Sequence, residues 1–339
     1  MPPRHPLLER GLPLLLGLCA LALLVGALAL VSGSANIPPA RVWHLLWHPD
    51  ASVDHRILTE LRLPRALAAF AVGGLLALAG ALMQVLLRNP LGDPYVLGVS
   101  GGAAAAVLLS LLLGAGAVWQ APAAFAGALA SMLLVFALGR SGGWQVTRLL
   151  LTGIVIAAGW SALISFVLSL SPPMQLPGML FWLMGDLSDA LAPGLPLAVL
   201  ALGLAGAMTL AADLNVSALG TQRAAALGVR PERLRLVVYL LASLLTAVAV
   251  TVAGAVGFVG LITPHLVRLL GGSDHRILLP GAVLLGGSLL LAADTAARTL
   301  IAPLQLPVGV LTALLGVPVF LWLLQRSHTG AQTGGVGDG

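Results

Sequence analysis

Between Leu12 and Val31 the chain places 20 residues in a row without a charged side chain. A helix needs about 20 apolar residues to cross the hydrocarbon core of a bilayer, so this run is long enough to span one. Nine further apolar stretches follow, at 66–87, 95–116, 121–138, 149–170, 194–212, 236–256, 257–270, 277–297 and 306–324. Such a pattern leaves little polar surface for water to cover. Hydrophobic residues make up 59% of the 339 and charged ones 9%, against about 25% charged in a soluble domain. The fold class predicted is therefore an all-α polytopic membrane protein with about ten transmembrane helices. The eighth stretch is too short to span unaided and is expected to sit shielded among its neighbours, meeting the seventh at Gly254–Gly257.

The first apolar run follows Arg4 and Arg10 in the manner of a secretion signal. Its length exceeds the roughly 7–15 residues of a signal core, which predicts a retained helix. Cys19 lies inside it and, as the only cysteine, can form neither an internal disulfide nor a cysteine metal cluster.

All 17 basic residues are arginine. They stand singly between apolar runs, a distribution that sets membrane topology and gives no footprint for nucleic acid. With the N-terminus in the cytoplasm and ten alternating spans, Arg4, Arg10, Arg88, Arg140, Arg148, the group from Arg223 to Arg235, Arg268, Arg276 and Arg326 fall inside. Arg41, Arg56, Arg62, Arg65 and Arg298 fall outside. The excess inside supports this orientation, with both termini cytoplasmic. The sequence "TELRLPRAL" (59–67) thus places Arg62 and Arg65 on the outer face, exposed and with no partner placed as Asp294 is to Arg298.

Polar residues within the spans are few, and Asp294 is the only carboxylate among them, one turn from Arg298 and able to pair with it. A carrier driven by protons or sodium keeps ionisable groups near mid-membrane, so this chain reads as a pathway whose energy comes from elsewhere. An intramembrane enzyme would need a catalytic pair inside the spans, and none is present. No GxxxxGK[ST] phosphate loop occurs either. The segment "VWHLLWHPDASVDH" (42–55) brings His44, His48, Asp50 and His55 near one another. A metal site is conceivable there, but Trp43, Leu46 and Trp47 make an interfacial anchor the better reading.

Two loops carry mechanism. "LLRNPLGDP" (86–94) contains two prolines, which end the second span. "NVSALGTQRAAALGVRPERLR" (215–235) predicts a short helix outside the bilayer. Ser217 is its N-cap, Ala218 to Leu227 its body and Gly228 its C′ residue, and Pro231 opens the next helix. Leu219 and Leu227 share one face of that helix.

With these loops placed, the chain resembles the permease subunit of the iron-siderophore, haem and cobalamin branch of ABC importers. The resemblance runs from about Arg62 to Arg326. It rests on "LRLPRALAAFAVGG", "GALMQVLLRNPLGDPYVLGVSGGA", "FWLMGDLS", "ALGTQRAAALGV", "GAVGFVGLITPHLVRLLGGSDHRILLP" and "LPVGVLTALLGVPVF".

The resemblance implies a single transmembrane permease domain over 1–339. It has a cytoplasmic N-terminus at 1–11, a ten-helix bundle of the type II importer fold at 12–324, a coupling loop at 212–235 and a cytoplasmic tail at 325–339. It further implies a homodimer in the bacterial cytoplasmic membrane, with two cytoplasmic ATPase subunits that use ATP and Mg2+ and a soluble binding protein outside. The chain itself has no cofactor, metal or catalytic residue in this scheme. Ser217, Ala218, Leu219, Gly220, Arg223, Leu227 and Gly228 become the ATPase-coupling helix. Asn89, Leu91, Val146 and Thr147 match the cytoplasmic gate, the last two in the loop before the fifth span. Arg62, Arg65 and Arg298 match arginines that meet acidic residues on the binding protein. Relatives commonly carry an acid after the "LG" of the coupling helix. Here Thr221 and Gln222 follow, which removes a charge pair to the ATPase but not apolar seating. The motifs imply a metal chelate as cargo, with a ferric siderophore expected over cobalamin or haem.

Overall fold

A computed structural model describes residues 11–33, 35, 37–139, 145–302 and 304–332. Arg4, Arg10, Arg140 and the end of the expected tail lie outside the described residues. Among those described there are helices and connecting turns and no strand.

Helix α1 (Leu12–Val31) enters with Pro13 in its first turn, where a missing N–H costs nothing. A short amphipathic helix, α2 (Pro39–Trp47), buries Val42 and Leu45 and leaves Trp43 and Trp47 outward. One turn of helix, α3 (Val53–Arg56), is capped by Ser52, whose Oγ accepts from His55 N at 3.2 Å. It passes through a π-helical turn (Ile57–Arg62) into α4 (Leu63–Leu87). Two prolines were expected to end this span, and it ends before both, at Arg88 in the left-handed region (φ 48°).

A 3-10 turn (Pro94–Leu97) then leads to α5 (Val99–Leu112), and α6 (Gln120–Gly139) and α7 (Val146–Leu170) complete the first half. In the second half, α8 (Leu176–Met184) is a short helix between the apolar runs 149–170 and 194–212. Helices α9 (Gly194–Thr209) and α10 (Ala211–Ser217) form one broken span bent by 56°. Next come α11 (Thr221–Ala226), α12 (Pro231–Ala253), α13 (Val259–Gly271), α14 (His275–Thr299) and α15 (Val308–Gln332). The last continues past the expected end at 324.

Among the described residues, six helical segments are long and apolar enough to cross a membrane. The bent α9–α10 pair and three shorter apolar helices (α5, α13 and the first part of α15) complete the ten runs. The short α13 is shielded as expected: Val259 through Pro264 are buried, and the turn before it passes through Gly254 and a left-handed Phe258.

Helix α4 is the axis of the bundle, packed against α9, α12, α13 and α14. Close approach comes from glycine. A Cβ on Gly80 would lie 1.9 Å from the Gly260 carbonyl oxygen, and one on Gly73 2.2 Å from that of Gly286. These backbones touch directly, as small-residue interfaces allow between membrane helices. Gln84 adds a polar tie, donating to Leu261 O at 3.1 Å and accepting from Arg268 Nη2 at 2.6 Å.

Candidate functional site

Helix α4 runs for 25 residues, about 37 Å at 1.5 Å per residue, and α14 packs along it. Both carry polar groups at their two ends, so the bundle presents one polar assembly at each.

The first assembly holds the three arginines. Sequence reasoning placed all three on the exposed outer face, with only Arg298 given a carboxylate partner, and the structure corrects the exposure: Arg62 is 4% and Arg65 8% exposed, and the Arg298 side chain 10%. The π-helical turn directs Arg62 back onto the end of α1. There its Nη1 donates to Leu30 O (2.7 Å) and Val31 O (2.9 Å), and its Nη2 to Ala35 O. Arg65 reaches across to α14, donating to Asp294 from Nε (3.1 Å to each oxygen) and Nη2 (2.8 Å), and to Gln305 Oε1 from Nη1 (3.1 Å). Asp294 was expected to pair with Arg298. It does so only loosely, Nε to Oδ2 at 3.4 Å, while Arg298 Nη2 donates to Ala29 O (2.9 Å).

The arginines therefore staple α1, α4 and α14 together. Burial is possible because the planar forks of Arg62 and Arg65 each reach several oxygens, while Arg298 donates to Ala29 O. Local sequence carried no signal for the Arg65–Asp294 pair, whose members lie 229 positions apart. A cavity of about 290 Å3 opens among these arginines, Gln305, Ser188, Gly33 and Ile57.

At the other end, the predicted helix 218–227 is divided. Ser217 closes α10 and turns its hydroxyl back to Leu214 O (3.0 Å), so it is not an N-cap. Ala218 and Leu219 continue out of α10, Gly220 breaks the chain at φ 108°, and only Thr221–Ala226 forms α11. Gly228 takes the expected left-handed C′ position at φ 86°, and Pro231 opens α12. Leu219 and Leu227 stand 55% and 63% exposed, and Arg223 is exposed too, while Ala224 is buried.

This segment is anchored by bonds that the sequence did not reveal. Thr221 Oγ1 accepts from Arg88 Nη2 (2.5 Å) at the end of α4 and from Arg235 Nη2 (3.1 Å) on α12. Asn215 Nδ2 donates to Asp274 Oδ1 (2.8 Å), and its Oδ1 accepts from His275 N (2.9 Å) and faces His275 Nδ1 (2.6 Å) at the start of α14.

Between α4 and the 3-10 turn, Asn89 Oδ1 accepts from Leu91 N (2.9 Å), and Leu91 is exposed. Val146 and Thr147 open α7 and are not in a loop. Contacts of the following glycines with α7 fall at Ile156, Ala157 and Trp160, more than two turns from Val146. Asp93 caps the 3-10 turn, accepting from Tyr95 N at 2.7 Å, and burial pushes its carboxyl up to about 6.

The histidine segment is otherwise engaged. His44 and His48 lie ring to ring at 5.1 Å, and Asp50 takes Arg41 at 2.5 Å. Hydrogen bonds from Ser52, then Arg41, hold the Asp50 carboxyl down at about 2. No trio of metal-binding side chains clusters among the described residues.

A ten-run helical bundle with polar groups at its two ends is a multi-span membrane protein, all-α among the described residues. Residues 21–326 match the model of the FecCD transport family, and the chain belongs to that family of ABC transporter permeases. It is 42% identical over 333 residues to the hemin transport system permease protein of Yersinia pestis, covering 93% of this chain and 96% of that one. Against the vitamin B12 import system permease protein of Yersinia enterocolitica it is 39% identical, covering 84% and 86%. A solved inward-facing structure of a metal-chelate-type ABC transporter superposes with a TM-score of 0.80 at 31% identity, over 93% of this chain and 99% of that one. The fold is thus the type II importer permease fold implied by the sequence.

Proposed function

We propose that the chain is the translocation subunit of an ATP-driven importer of a metal chelate in the bacterial cytoplasmic membrane. Two copies form the path, two cytoplasmic ATPase subunits supply the energy with ATP and Mg2+, and a soluble binding protein delivers the cargo from outside. The α11 end then faces the cytoplasm together with both termini, and the arginine end faces outward. The observation that carries this reading is the α10–α11 segment. Leu219 and Leu227 project from it without cover, while Asn215 and Thr221 fasten it to α4, α12 and α14. An apolar knob held rigidly outside the span is what a coupling element requires.

For cargo we favour hemin over a ferric siderophore or cobalamin. The hemin permease relative and the arginine-lined cavity both support a chelate that carries carboxylates. Docking of an acidic binding protein falls chiefly to Arg298, since Arg62 and Arg65 are engaged internally. A gate built from Asn89, Leu91, Val146 and Thr147 closes, in this reading, between two copies.

Leu219→Asp or Leu227→Asp in the assembled transporter is expected to abolish cargo uptake while leaving the permease inserted, because a charge forced into a docking groove costs several kcal/mol unless paired. Uptake and ATPase stimulation surviving both changes would remove α10–α11 as the coupling element. Growth of a deletion strain on hemin, cobalamin and ferric siderophores in turn identifies the cargo.

A further inference from the structure

At the α11 end of the bundle two arginines converge on one neutral atom. Arg88, just past α4, and Arg235, in the second turn of α12, direct their Nη2 groups at Thr221 Oγ1, at 2.5 and 3.1 Å. Neither forms a salt bridge; those among the described residues pair Arg41, Arg65 and Arg298. Glu232 attracts Arg235 from the preceding turn, while Arg88 repels it. Like charges are thus gathered around a hydroxyl, with no carboxylate in contact with either. Such an arrangement gains from an anion, because positive charge partly removed from water is costly unless it is paired.

The backbone contributes to the convergence. Arg88 is one of two non-glycine residues with positive φ among those described, at 48°. That region suits glycine or asparagine, and an arginine persists there only where its surroundings hold it. Its bond to Thr221 is the one side-chain hydrogen bond it makes among the described residues.

Most of the donors at this place are unspent. A guanidinium carries five N–H groups, and Arg88 and Arg235 each give one hydrogen bond here. Thr221 accepts twice, which leaves its own hydroxyl hydrogen to donate. A cavity of about 30 Å3 opens beside them, lined by Arg88, Arg235, Thr221 and the apolar Leu86, Leu234 and Val238. One water needs about 10–15 Å3 of such space, so one or two oxygen atoms fit and a whole polyatomic ion does not. A tetrahedral oxyanion meets this geometry with one oxygen inserted and the others at the rim, where Arg88 is exposed. Donors arriving from three elements suit its oxygens better than the single plane of a carboxylate.

We infer that Arg88, Arg235 and Thr221 form a phosphate-binding site that ties α4, α11 and α12 together. Phosphate oxygens accept from both guanidiniums and from the Thr221 hydroxyl. No covalent bond changes and no proton moves. The phosphate can come from the headgroup of an anionic lipid or from the free ion in solution. Only the assignment of this end to the cytoplasmic side rests on the importer reading above; the site itself does not.

The test uses the delipidated full-length protein in detergent, unfolded thermally in sodium phosphate and in sodium chloride of equal ionic strength. Phosphate is expected to raise Tm along a saturating curve that chloride does not reproduce. Arg88→Gln or Arg235→Gln raises half-saturation about tenfold, the scale of one lost charge-assisted hydrogen bond. Thr221→Val weakens binding and Thr221→Ser restores it. Arg276→Gln, at an exposed arginine in the first turn of α14, leaves the curve unchanged. Should Arg235→Gln fail to accumulate, Arg88→Gln makes the same comparison on an exposed side chain. Coincident curves in the two salts overturn the proposal, as does a loss at Arg276→Gln equal to that at Arg88→Gln.

Micelles doped with phosphatidylglycerol or phosphatidylcholine separate the two sources. A phosphate curve displaced to higher concentration by phosphatidylglycerol alone assigns the site to an anionic lipid. A curve that neither lipid displaces assigns it to the free ion. No ATPase or transport is measured, so a failed importer reading leaves these curves unaffected.

Discussion

Helices α1 and α4 are both long apolar spans, and α1 is the more apolar of the two, yet they meet different surroundings. In the most apolar stretch of α1, 11% of residues are buried; in that of the continuous Val53–Leu87 rod, 89% are. Greater hydrophobicity marks the helix that faces lipid. The enclosed helix has alanine or glycine at ten of its 25 positions, and at Gly73 and Gly80 neighbouring backbones come to contact distance and leave no room for a side chain. What identifies α4 as the centre is the size of its residues and the polar partners at its ends.

Substitutions can break or sharpen that contrast. The largest effect is expected from Asp294→Ala, which strands Arg65 at the end of α4 without its counter-ion. Breaking a buried pair from one side costs about 3–5 kcal/mol, read as a fall in thermal stability and in yield of monodisperse protein. Next is Gly80→Ala, where the new methyl meets the Gly260 carbonyl at 1.9 Å. Overpacking of this kind costs about 1–3 kcal/mol, and a stability equal to that of the unaltered protein would show that α4 can move aside.

A smaller effect is expected at the loop that closes α4. Asp93 has a pKa of about 6 against an ordinary 3.8, so ionisation opposes the folded arrangement. Its stabilising contribution is complete below pH 3.8 and is lost as pH rises through 6. Asp93→Asn keeps a capping oxygen and should flatten this part of the Tm–pH profile. Least affected is Gly17→Ala in α1, where a Cβ meets nothing within 4 Å. A change within about 0.5 kcal/mol is expected, and a larger loss would mean that α1 is covered by another chain.

The ten runs were legible because a lipid solvent imposes a length on every span, and length survives in a single sequence. Gly228 and Pro231 were legible for a similar reason, since each answers to a local backbone rule. Burial of Arg62 and Arg65 was not, because their partners are remote: Asp294 lies 229 positions from Arg65, and Leu30 lies 32 from Arg62. The helix expected at 218–227 was drawn too long because Ala218 to Leu227 favours helix at nearly every residue. Gly220, included in that helix, instead divides it at φ 108°. Helix α8 escaped notice behind Pro172, Pro173 and Pro177, although the last sits in its first turn, where proline is tolerated.

The separation of 229 positions between Arg65 and Asp294 has a meaning in time as well as in space. A ribosome adding about 5–20 residues per second finishes Arg65 roughly 10–45 s before its counter-ion exists. Throughout that interval the future centre of the bundle is a newly inserted helix with lipid on the sides that α12, α13 and α14 will later occupy. Arg62 can be served at once, since the carbonyls it grips at the end of α1 are already made. It is thus the earlier of two fastenings, holding the entrance of α4 at the membrane surface until α14 arrives to close the second. The order of the residues along the chain is in this sense an assembly schedule, in which the first arginine keeps the place of the other.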